Sequence, residues 1–72
     1  MTDFTVVCVE ADRQSVELVD RRGNHHVARL ETQLPAVGTS LISAQPFASA
    51  RVVIAESSGD VYRVTAIDRL PL

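Results

Sequence analysis

Lysine is missing from this 72-residue chain, cysteine occurs once, and only three side chains are aromatic. Each shortage excludes something. A lone cysteine, Cys8, closes no internal disulfide, and one thiol with two histidines is short of ligands for a structural metal cage. No uninterrupted apolar run exceeds four residues, against the roughly 20 that a membrane-spanning helix needs. The opening Met1-Thr2-Asp3-Phe4 has neither the basic region nor the apolar stretch of a secretory signal. A reduced, cytoplasmic setting is therefore expected, and an unpaired thiol agrees with it. Catalytic signatures are missing too: there is no G-x-S-x-G elbow, no Ser-x-x-Lys pair, no P-loop and no G-x-G-x-x-G. The acids are scattered singly. The expectation is a protein that is not an enzyme and holds no cofactor and no metal.

All seven positive side chains are arginine, against nine acids, for a net charge of −2. With abundant alanine and valine, the missing lysine reads as the codon bias of a GC-rich, bacterial genome rather than as chemistry. An apolar fraction of 46% describes an ordinary globule, neither disordered nor nucleic-acid-like by bulk charge. A chain this short forms one domain, residues 1–72, and buries only about 60% of the surface its unfolded form exposes. With disulfides and metals excluded, self-association is the expected reinforcement.

What the chain does have is rhythm. Short, mostly β-branched runs recur about every ten residues: Phe4–Ala11, Ser15–Val19, His26–Leu30, Thr39–Ala44, Arg51–Glu56 and Val61–Ile67. Turn residues separate them. This pattern predicts an all-β fold, a small five- or six-stranded antiparallel barrel built from two or three hairpins. It resembles SH3-like or helix-less OB-like barrels in architecture, because Glu31–Gly38, with Pro35, has room for one helical turn but no helix.

Alternation predicts the facings. Val16 and Leu18 point inward from the second run, Glu17 and Val19 outward. Asp20-Arg21-Arg22-Gly23 is the strongest turn signal, with aspartate to bond the backbone ahead of it and glycine to take positive φ. His26, Ala28 and Leu30 are placed inward, with His25, Val27 and Arg29 outward and the opposite register left open. Phe4–Ala11, apolar on both faces, reads as a central strand, with Cys8 an inert core side chain. Tyr62, Val64 and Ala66 are placed inward, and Asp68–Leu72 is read as a tail packing back on the barrel. Thr39–Ala44 is expected at an edge, with Gln45–Ala50 an irregular connection.

Adjacent histidines on a strand point to opposite faces, so His25 and His26 do not grip one ion. Two surfaces remain as candidates. One is an arginine patch of Arg21, Arg22, His25, Arg29, Arg51 and Arg63, able to contact nucleic acid or a protein partner if these side chains converge. The other is the uncharged edge strand, with Thr39, Leu41 and Ile42 as an interface for a partner strand or a second copy. The sequence thus points to a small binding or assembly module acting by protein contact or self-association. The alternative is a barrel that binds single-stranded nucleic acid through its arginines. No membrane association is expected.

Overall fold

A computed structural model describes residues 2–43 and 51–70. The expected Gln45–Ala50 connection with Phe47, the end of the Thr39–Ala44 run, and Pro71 and Leu72 lie outside the described residues. Six strands appear: β1 (Thr2–Glu10), β2 (Ser15–Asp20), β3 (His25–Leu30), β4 (Ser40–Ser43), β5 (Val52–Ala55) and β6 (Val61–Arg69). A single 3-10 turn over Ala11–Arg13 joins β1 to β2. Every neighbouring pair is antiparallel, and the ring closes in the order β1-β2-β3-β6-β5-β4. The chain is a closed six-stranded antiparallel barrel, with no α-helix among the described residues.

Alternate side chains of each strand meet on the axis. Phe4 and Val6 come from β1, Val16 and Leu18 from β2, Ala28 and Leu30 from β3, Leu41 from β4, Val53 and Ala55 from β5, and Tyr62 and Val64 from β6. Leu18 and Leu41 are fully enclosed. Burying a leucine side chain contributes about 1.5–3 kcal/mol, so these two residues, on the two strands that flank β1, anchor the core. The facings expected for β2 and β3 hold throughout, including His26 inward and His25 outward.

Two bulges account for the facings that differ. In β1, Val6 pairs with Leu18 and Cys8 with Glu17, so Val7 is an extra residue. Alternation restarts after it. Val9 then packs against the core while Cys8 turns outward and is exposed, correcting its placement as a core thiol. In β6, Leu30 pairs with Val64 and Arg29 with Ala66, so Thr65 is the extra residue, its hydroxyl donating to the Arg29 carbonyl at 3.2 Å. Ala66 is consequently exposed rather than inward, and Ile67 packs on the core in its place. A bulge inserts one residue against the pleat and reverses the sidedness beyond it.

Two further expectations are corrected. β4 is not an edge, because it bonds to β1 on one side and β5 on the other. Nor is Asp68–Arg69 part of a tail: β6 continues through both, with Arg69 opposite His26. Between β3 and β4 the chain crosses to the opposite side of the ring. Pro35 is buried on this path and Leu34 packs against the core. The crossing ends by bonding to β1, where Val6 donates to the Thr39 carbonyl at 3.0 Å and Gly38 to the Val6 carbonyl at 2.7 Å.

Candidate functional site

The β2–β3 turn is built around one carboxylate. Asp20 Oδ1 accepts from the Arg22 and Asn24 backbone amides at 2.9 and 3.0 Å, and Gly23 takes φ 83°. Asp20 Oδ2 accepts from the Asn24 side-chain amide at 3.2 Å and lies 3.0 Å from His26 Nε2. His26 is buried, edge-on to Phe4 with ring centroids 5.7 Å apart. The His26 bond, joined by those from Asn24 and Arg22 and opposed by burial, holds the Asp20 carboxyl well below the usual carboxylate range. An ionised carboxylate only accepts, so His26 carries its proton on Nε2. This pair ties the turn to the core. Outside, His25 Nδ1 lies 2.8 Å from Glu17 Oε2. Among the described residues no group of histidine, cysteine and carboxylate side chains could hold a metal ion.

The arginines divide into two groups. Arg21 and Arg22 sit on the β2–β3 turn, with His25 beginning β3 beside them. Arg21 pairs with Asp3, and Arg69, previously assigned to a tail, donates to Asn24 Oδ1 at 2.7 Å. Arg29 stands four residues along β3 from His25, about 13 Å at the rise of a strand. Arg63 lies close to Arg29's end, where Glu31 donates to the Arg63 carbonyl at 3.0 Å, and Arg51 accepts there from the Val64 amide at 2.8 Å. The convergence of all six candidates into one patch is therefore not found. Arg29, Arg51 and Arg63 are linked by the backbone bonds where β6 meets β3 and β5, and Arg21, Arg22 and His25 lie apart from them at the β2–β3 turn.

The candidate strand residues are redistributed by closure. Leu41 is wholly inside the barrel, and Thr39 is bonded to β1 and to the Ala36 carbonyl. Ile42 alone points outward, and it is not alone on its face. Register places Ile42 opposite Ile54, and Ile54 opposite Val61. Directly opposed side chains in a sheet sit about 4.5–5.5 Å apart at Cβ, so three β-branched residues form a row across β4, β5 and β6. Val52, two residues along β5, extends it. Ile54 is 38% exposed, Val52 40% and Val61 59%. This row was missed in the sequence because its members are far apart in the chain, and each looks like half of an ordinary alternation.

Charge brackets the row. Antiparallel pairing puts Glu56 and Asp60 together at the β5–β6 turn, and Arg51 and Arg63 together at the other end of the same two strands. All four are exposed. The face thus runs acidic, aliphatic, basic within one hairpin.

Fold and surface together define a class: a closed six-stranded barrel, without an α-helix among the described residues, that carries an aliphatic outer face. No family model, curated protein or solved structure matches the chain.

Proposed function

We propose that this protein is a non-enzymatic assembly module that associates with a second copy of itself through the outer face of β4, β5 and β6. The observation that carries the reading is the Ile42–Ile54–Val61 row with its charged ends. Scattered exposed hydrophobes need no explanation, but contiguous ones mark contact surfaces. The occupant follows from the charges. Two copies related by a two-fold axis present the same patch to each other, so each basic end of Arg51 and Arg63 meets a partner's acidic end of Glu56 and Asp60. A marginal core gives such a chain reason to bury more apolar surface on assembly. The contact uses side chains, since ring closure leaves the barrel no unpaired strand to offer.

Sedimentation equilibrium over a range of protein concentrations tests this. The expected result is a dimer that Ile54→Asp converts to a folded monomer, weakening association more than about thirtyfold, as loss of a central anchor does. Val37→Asp, at a position 63% exposed but outside the row, leaves the dimer intact. A wild-type chain monomeric at every concentration, or a dimer indifferent to Ile54→Asp, overturns the reading.

The alternative, a barrel that binds single-stranded nucleic acid, calls for a continuous basic groove with exposed aromatics for stacking. Phe4 and Tyr62 are both in the core, and the arginines fall into two separate groups. No observation favours it over self-association.

A further inference from the structure

Across the Thr65 bulge from the aliphatic row, β6 turns a different surface outward. There a cleft of about 320 Å3 opens over β2, β3 and β6, the lower end of the size range of small-molecule sites. Its floor is made of small side chains. Register sets Val27 opposite Asp68 and Arg29 opposite Ala66, while Ser15 flanks Arg29 on the other side. The bulge is what puts Ala66, rather than Ile67, on this floor. At the rim, the 3-10 turn and Gln14, which takes the left-handed conformation with φ 53°, bring Arg13 over the cleft beside Glu10, 3.7 Å away.

The charges are arranged for something that is not there in the chain itself. Arg29 and Asp68 occupy diagonal corners of a two-by-two block on β3 and β6, where Cβ atoms stand about 7–8 Å apart. They do not pair with each other, and neither has an ion pair with any described residue. Ser15 is 5% exposed, lines the cleft, and makes no side-chain hydrogen bond among the described residues. A guanidinium with a hydroxyl donor beside it suits a carboxylate. A carboxylate acceptor across a short apolar floor suits an ammonium. We infer that the cleft is a binding site for a small zwitterion of the α-amino acid type. Its carboxylate is held by Arg29 and Ser15, its ammonium by Asp68, and its side chain lies over Val27 and Ala66. Arg13, already partnered by Glu10, closes the rim. The reading is independent of self-association, since the two surfaces share no residue.

The test is a series of amide NMR titrations of labelled protein with the standard free L-amino acids, one at a time. At least one is expected to give saturable shifts confined to residues 13–15, 27–29 and 66–68. Its N-acetyl derivative, which keeps the carboxylate, and its amide, which keeps the ammonium, are expected to bind at least about tenfold more weakly, as are Arg29→Ala and Asp68→Asn, the loss expected for one charged hydrogen bond. No saturable shift with any amino acid overturns the inference. So does equal binding of the N-acetyl derivative, which would mark a simple anion site, or an affinity unchanged in both variants.

Discussion

Between Thr2 and Leu30 the outward side chains include Thr5, Val7, Cys8, Glu10, Glu17, His25 and Arg29; between Ser40 and Arg63 they include Ser40, Ile42, Arg51, Val52, Ile54, Glu56, Asp60, Val61 and Arg63. The first three strands tie their surface down with polar contacts, Glu17 to His25 and Asp3 to Arg21, and the valines among them at positions 19 and 27 are half-buried beside charged neighbours. The second three expose a bare aliphatic row. Their inner faces are alike, with one wholly enclosed leucine in each half. Core formation therefore does not account for a contiguous aliphatic row, since the first half builds the same core with Val7, at its bulge, as its exposed large aliphatic side chain. The excess is available for contact.

The comparison breaks most readily at the inner face. Leu18→Ala and Leu41→Ala should each cost about 3 kcal/mol, a large share of the roughly 4–11 kcal/mol expected for a chain of this length, as read in urea titrations. A cost below about 1 kcal/mol for one of them would show that the halves are not equivalent inside. On the outer face the halves should diverge. Ile54→Asp abolishes association yet changes folding stability by no more than about 0.5 kcal/mol, the ordinary range for surface positions, measured on the monomer by thermal denaturation.

Acid sharpens the contrast, because the depressed carboxylate lies in the first half. Asp20 ionises more readily folded than unfolded, so the unfolded chain binds the extra proton and stability rises with pH through that window. The contribution is complete above the ordinary aspartate value of about 3.9 and is lost as pH falls toward the lower folded value. Asp20→Asn should cost about 1–2 kcal/mol at neutral pH through the lost charged hydrogen bonds. Its stability should then fall less steeply than wild type below about pH 4. Parallel acid curves would remove Asp20 from the account. A further effect should be the same in both halves. Gly23 and Gly59 close the β2–β3 and β5–β6 turns at φ 83° and 77°, with open space where a Cβ would stand. Alanine at either should cost about 1 kcal/mol, from the backbone alone, as read in matched chemical denaturations.

Where alternation ran unbroken, the sequence was enough. β2 declares its facings and Asp20 with Gly23 declares the turn after it, while β3, whose opposite register the sequence left open, takes the facing that places His26, Ala28 and Leu30 inward. The failures cluster at the bulges. Val6-Val7-Cys8-Val9 is uniformly apolar, so nothing in it marks which valine is supernumerary, and the exposure of Cys8 follows only from the pairing with Glu17. Val64-Thr65-Ala66-Ile67 is equally silent, and Ala66 is small enough to suit either side. Ring closure was a second blind spot. A four-residue strand without charge reads as an unprotected edge until pairing shows neighbours on both flanks. The candidate surfaces were illegible for a related reason. Ile42, Ile54 and Val61 become neighbours only through register, and so do Arg29, Asp68 and Ser15.

The bulge at Thr65 makes one codon of this gene expendable. Exchanging Thr65 for another residue removes one hydroxyl contact to the Arg29 carbonyl and leaves the pleat as it is. Losing its codon joins Val64 directly to Ala66, whose partners Leu30 and Arg29 are already consecutive, so Ile67 stays inward and Asp68 outward. What goes is the extra bend that a bulge puts into a strand, so the length of the chain at position 65 governs how sharply β6 curves and not which of its side chains are buried.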